Sequence, residues 1–290
     1  MMRRKVLAFL SRLSNARFLE ALAVVVLGVA LAFDAGWYGD QQRSVAISMD
    51  VVPASNLLEN GGFEVDSWTH EALYWTPGGG PYSGLFGPVF TPASWTTWWR
   101  EGFPCASDPT AVKGAAEVLL LDLTTGFPYP ARIRSGSRAV RMFTFWRCHE
   151  MGLLQQVDVV PGAHYDLMAY GHAWYSECES ELYSPPLAGD CETPLPDAWD
   201  RLQVGIDPSG GLDPHGSMVV WSAPVEQYGV YGQRVDLIGV QASATQITVF
   251  LRSECNLPLK HADTHWDDVV LQPGKRLYLP LLELGHSGGE

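Results

Sequence analysis

The sequence predicts an all-β fold, a two-sheet β-sandwich, and three observations predict it. Seven segments alternate apolar and polar residues with period two. Glycine (29) and proline (20) together make 49 of the 290 residues, which favours frequent turns over long helices. Helical patterning beyond the N-terminus is confined to one short candidate, Ala111–Leu123. With 47% hydrophobic and 18% charged residues, the chain is no disordered tail and is long enough to bury a single core.

Taken in order, residues 1–33 stand apart. Arg3, Arg4, Lys5, Arg12 and Arg17 precede Ala21–Phe33, a run without charge. This predicts either a secretory signal peptide, with Ala30-Leu31-Ala32 as a cleavage site, or an uncleaved anchor from Phe18 to about Trp37. In both cases the basic flank stays inside and the chain from about residue 40 is exported. Residues 34–55 read as a linker, 56–272 as one domain and 273–290 as a tail.

Within the domain, Arg138–Arg147 alternates Ala139, Arg141, Phe143 and Phe145 on one face with Val140, Met142, Thr144 and Trp146 on the other. Gly152–Val160 is a strand closed by Pro161-Gly162. His164–Tyr175 places Tyr165, Leu167, Ala169, Gly171 and Ala173 on a small apolar face, and Met168, Tyr170, His172 and Trp174 on the other. That second face is too aromatic for bare solvent, so it is either covered by a loop or lines a groove. Arg201–Asp207, Arg234–Gln241, Gln246–Arg252 and His265–Gln272 complete the strands.

The formal charge is −13. Setting aside residues 1–33, with five basic side chains and one acidic, leaves −17. That balance argues against nucleic acid as a partner, since such binders cluster Lys and Arg to displace counterions. It also disfavours acidic glycans. All five cysteines lie in the exported part, where disulfides are the default. Cys178 and Cys191 flank a Pro-rich acidic loop and are the first expected pair. Two of Cys105, Cys148 and Cys255 could form a second, leaving one thiol. No C-x-x-C motif suggests a metal cluster.

Several motifs resemble a known family. Asn56-Leu57-Leu58-Glu59-Asn60-Gly61-Gly62-Phe63-Glu64 is similar to the opening strand of bacterial carbohydrate-binding modules with a galactose-binding-like jelly-roll. Trp266-Asp267-Asp268-Val269-Val270-Leu271 is similar to their closing strand, and Gly136–Ala139, Gly152–Val157 and Pro161-Gly162 to the middle. A narrower resemblance, through Trp95–Trp99, Val204–Gly211, Val219–Ser222 and Thr248–Arg252, is to a subgroup of secreted bacterial modules of unknown ligand. The family resemblance implies a jelly-roll over 56–272, a glycan or polysaccharide ligand and a structural Ca2+. The calcium would take Glu64 and Asp267, with Asp268 as substitute and a carbonyl near Gly62, hard oxygen ligands suited to the ion.

Five of the eleven tryptophans fall between Trp68 and Trp99. Aromatic faces stack on the C–H faces of sugars, so Trp95, Trp98 and Trp99 are candidate platforms as well as candidate core. Tyr170, His172, Trp174, Gln203 and Asp207 are the candidate polar and aromatic partners in a groove. Asp207–Asp213 reads mainly as successive turns. His149-Glu150-Met151-Gly152-Leu153 lacks the second histidine of a zinc-protease helix. The sequence reading is a non-catalytic, calcium-stabilised extracellular module that binds a neutral glycan. The alternatives are a surface adhesion protein that contacts another protein, and a glycoside hydrolase or lyase with a carboxylate pair. Membrane contact is expected only through the N-terminal segment, and the oligomeric state is left open.

Overall fold

The computed structural model describes residues 56–274, apart from 66, 79, 84–87, 116, 126–129 and 177–196. The expected leader, linker and Cys178–Cys191 pair therefore lie outside the described residues. Two sheets face each other. One has seven strands in the order β11 (Val220–Trp221), β10 (Asp200–Asp207), β13 (Gln246–Cys255), β8 (Glu150–Asp158), β5 (Thr96–Arg100), β2 (Ala72–Trp75) and β3 (Tyr82–Ser83). The other has five, in the order β12 (Gln233–Gln241), β9 (His164–Ser176), β14 (His261–Pro273), β7 (Arg138–Thr144) and β6 (Glu117–Asp122). A short pair, β1 (Trp68–Thr69) with β4 (Thr91–Pro92), stands beside them. Pairing is antiparallel except between β2 and β5. Non-consecutive neighbours throughout both sheets make this a two-sheet β-sandwich rather than a meander.

The predicted alternation sets the inner faces. Leu167, Ala169 and Ala173 of β9 and Val140 and Met142 of β7 pack against Leu153 of β8, Val249 and Leu251 of β13 and Val204 of β10 in one core. One stretch departs from expectation. Residues 117–122 form an edge strand paired with β7 rather than the end of a helix. Val118 and Leu121 are buried, and strand pairing gives that burial to a run too short for a helix to nucleate within.

The N-terminal segment of the domain closes on its last strand. Asn56 donates from Nδ2 to the Val269 carbonyl at 2.8 Å and accepts at Oδ1 from the Leu58 and Leu271 amides. Leu57 N–H and Val269 N–H add backbone bonds to Leu271 and Gly61. A Cβ at Gly61 would come within 2.2 Å of the Val269 oxygen, so this approach requires glycine. The motif that carries the family resemblance is thus the clasp joining the first and last segments.

Cys105 and Cys148 form a disulfide that closes 43 residues of sequence, one of the pairings left open among Cys105, Cys148 and Cys255. Cys255 is a buried thiol. Its Sγ lies 3.4 Å from His149 Nδ1, and His149 Nε2 lies 3.8 Å from Asp200 Oδ1. The order Cys–His–Asp has the look of a nucleophilic relay, but all three are sealed from solvent. Burial lowers His149 to about 3 and raises both the thiol and the Asp200 carboxyl. Burial thus favours the neutral form of each, the opposite of what a thiolate nucleophile needs.

Candidate functional site

The structure separates the sequence-predicted site residues. Trp95, Trp98 and Trp99 are at most 2% exposed, which corrects their reading as sugar platforms. Trp95 and Trp99 enter the main core, and Trp95 donates from Nε1 to the Asn60 carbonyl. Trp98 lies on the outer face of the seven-stranded sheet, across Gly152, and donates to the Leu251 carbonyl at 3.2 Å. A Cβ at Gly152 would sit 2.7 Å from that indole nitrogen, so the ring packs there because the position has no side chain. Trp75, Leu154 and Phe250 seal it.

Tyr170, His172 and Trp174 do share the outer face of β9, but it is covered. Arg134 stacks on Tyr170 at 3.5 Å, Tyr231 on His172 at 4.3 Å, and Arg132 lies 5.6 Å over Trp174. Burial lowers His172 to about 4. The hollow left there, lined partly by Arg134, Tyr170 and His265, is only about 10 Å³. Gln203 and Asp207 lie on the other sheet, whose outer face points away from β9. Gln203 donates to the Ser222 carbonyl at 2.8 Å, and Asp207 accepts from Ser209 N–H and Oγ. Asp207 therefore builds a turn, as does Asp213 through the His215 amide. No single groove unites the two sets, because they belong to opposite sides of the sandwich.

The expected calcium ligands gather around one turn, 134–138, through hydrogen bonds. Glu64 accepts at Oε1 from the Ser137 and Arg138 amides and at Oε2 from Ser137 Oγ, each at 2.9 Å. Asp267 Oδ2 accepts from the Arg134 and Ser135 amides. Asp268 is held by the Arg134 guanidinium and by Ser135 Oγ. Burial, and the charge of Asp268, raise Asp267 to about 6. Calcium needs six to eight oxygens converging on one point. Here N–H groups and a guanidinium occupy the carboxylates, and among the described residues no three acidic, His or Cys side chains come together to hold a metal. Glu64, Asp267, Asp268 and Gly62 as arranged do not fit the ion. The melting temperature should accordingly differ by less than about 2 °C between excess Ca2+ and EDTA; a rise of several degrees with Ca2+ would reinstate the calcium site.

A groove opens instead on the outer face of the seven-stranded sheet. It encloses about 550 Å³. Leu73 of β2, Thr96 of β5, and Leu154 and Gln156 of β8 form its floor, because cross-strand partners share a face. Leu212 reaches in from the loop after β10, while His70, Glu71 and Ser94 complete the rim. Phe90 packs edge-on to His70 at 5.4 Å. A second trough of about 420 Å³ shares Ser94, Gln155 and Gln156 with the first, and adds Glu59, Asp158 and Gln246. Gln155 is fixed by paired bonds with the Glu59 backbone, both 2.9 Å. Gln156 donates to the Gly210 carbonyl at 2.9 Å, which ties the floor to the loop carrying Leu212.

That loop has a second tether. His215 Nε2 meets Glu150 Oε1 at 3.1 Å. Glu150 is 1% exposed and also pairs with Lys113 and with Arg252 at 2.8 Å, while Lys113 reaches Glu254 at 2.8 Å. The Lys113 and Arg252 cations, with the His215 hydrogen bond, hold Glu150 far below the usual carboxylate range despite its burial. This ionic cluster anchors the loops at 101–113 and 208–219 on the sheet. Among the described residues no Trp, Tyr or Phe lines the groove, so no aromatic pattern in the sequence marks it. The available signal was strand alternation, which puts Leu154 and Gln156 on the face opposite Leu153 and Val157.

No protein-family model matches the chain, and no curated protein matches it. Solved structures do. The carbohydrate-binding module TmCBM61, in complex with beta-1,4-galactotriose, is 14% identical, with 76% of this chain and 99% of that chain covered and a TM-score of 0.41. A cyclase from Fischerella sp. TAU, in complex with 4-(1H-indol-3-yl)butan-2-one, is 14% identical over 77% of this chain and 100% of that one, with a TM-score of 0.39. A xylan-binding domain from CBM 22 is 13% identical over 66% and 92%, with a TM-score of 0.35.

Proposed function

We propose that this chain is an exported, non-catalytic carbohydrate-binding module whose glycan lies in the groove over β2, β5 and β8. The observation that carries the reading is the composition of that groove. Leucine side chains at 73 and 212, over the nearly buried Leu154, offer apolar contact for the C–H faces of a sugar, and Gln156, Thr96 and Ser94 offer hydrogen-bonding groups for its hydroxyls. A concave apolar surface with a few placed polar groups is the usual form of a small-ligand site. Aromatic contact is limited to the rim, where His70 is backed by Phe90. The Cys105–Cys148 disulfide accords with an oxidising compartment. Among the described residues no helix is long and apolar enough to cross a membrane.

The excess negative charge turns the reading away from acidic polymers. Affinity electrophoresis and calorimetry against a panel of neutral and basic oligosaccharides test the site. Leu212→Ala combined with Gln156→Ala should weaken binding about tenfold or more, roughly 1.4 kcal/mol, with little change in melting temperature. Tyr170→Ala, on the covered face of the other sheet, should leave affinity unchanged. The reverse pattern would move the glycan to the five-stranded sheet.

A further inference from the structure

We infer that the groove selects a basic glycan, a chain of amino sugars carrying free ammonium groups, over its neutral counterpart. The inference rests on the groove being the glycan site and goes on to name the class of sugar. The proposed binding channel takes in both troughs, which have Ser94, Gln155 and Gln156 in common as lining residues. No lysine or arginine lines either part, whereas Glu71 lines one and Glu59 and Asp158 the other. Among the described residues none of these three carboxylates takes part in an ion pair. Glu71 and Asp158 are exposed, and the side-chain contacts of Glu59 and Asp158 are single hydrogen bonds from Ser94 and Gln246.

This contrasts with the rest of the domain. Arg134, Arg138, Arg141, Arg147, Arg201, Arg234, Arg252 and Lys113 are all committed to carboxylates elsewhere. The cations neutralise other carboxylates and leave those of the channel uncompensated. Low-dielectric walls focus such a field onto the ligand. Carboxylates in both troughs suit a polymer that carries positive charge on more than one unit. The amide and hydroxyl groups between them suit its sugar hydroxyls, which a basic peptide lacks.

The full-chain protein should be titrated, at mildly acidic pH and low salt, with a glucosamine oligomer, the same oligomer fully N-acetylated, an oligogalacturonate and polylysine of similar length. The expected result is at least tenfold tighter binding of the glucosamine oligomer than of the N-acetylated form. That preference should fall steeply with salt, and the oligogalacturonate should bind weakest. Glu71→Gln with Asp158→Asn, close in shape to the native side chains, should abolish the preference, bringing the affinities for the two oligomers within about twofold of each other and removing its salt dependence. Equal or tighter binding of the N-acetylated oligomer overturns the inference but keeps the glycan reading. Polylysine as the tightest ligand replaces the sugar with a basic peptide and overturns it. Binding of no oligosaccharide removes the glycan reading together with the inference.

Discussion

Trp98→Ala should lower stability by about 3–5 kcal/mol, the usual range for removing a fully buried large aromatic, and melting temperature by about 10 °C. Trp98 has no exposed surface, lies against Trp75, Leu154 and Phe250, and donates its indole hydrogen to Leu251. The loss therefore combines an unfilled cavity with a buried carbonyl lacking its side-chain donor. Glycan affinity, measured well below the lowered transition, should stay within about threefold of wild type, because the ring presents no face to the groove. Trp98→Phe should recover most of the packing and none of the hydrogen bond. A variant that melts like wild type yet no longer binds would return Trp98 to the role of a sugar platform.

The same residue shows where sequence reading reaches its limit. Period-two alternation located β7 to β10 and β12 to β14 as strands, and for β9 it separated the small apolar face that enters the core from the aromatic outer face. It left Trp98 open between core and sugar platform, and burial decides for core. In this fold the outer face carries a second apolar layer under the loops at 101–113 and 208–219, which only tertiary placement of Phe103 and Val219 reveals. Gln203 and Tyr170, both candidates for one groove, lie on different sheets. Alternation gives a residue's side of its own sheet and not which sheet the strand joins. The groove escaped for a related reason, since Leu212 comes from a turn segment and meets Leu73 and Thr96 from distant parts of the chain. The clasp was legible in part. The sequence paired Asn56–Glu64 with Trp266–Leu271, and the structure adds that hydrogen bonds from the 134–138 turn take up the carboxylates expected to hold calcium.

Removing the disulfide by Cys105→Ser with Cys148→Ser should cost about 4 kcal/mol, the chain-entropy value for a loop of 43 residues. Dithiothreitol should destabilise the wild type by at least a similar amount and act much less on the double variant. The effect has a local component too. Cys105 helps to close the 101–113 loop by donating its N–H to the Ala111 carbonyl, while Lys113 N–H donates to the Phe103 carbonyl and Gly114 N–H to that of Cys148. Lys113 then carries its charge to Glu150, the carboxylate on which His215 anchors the loop that walls the groove. Reduction should consequently weaken glycan binding more than any substitution on the five-stranded sheet, by loosening Leu212 through this chain of contacts. Labelling of Cys255 by a thiol reagent gives an independent readout. It should be slow in the native protein, since the thiol is sealed, and should speed up as opening becomes cheaper. A double variant that loses under 1 kcal/mol would mean that the Glu150 cluster alone holds these loops, and the disulfide would then say little about the conditions in which the fold must persist.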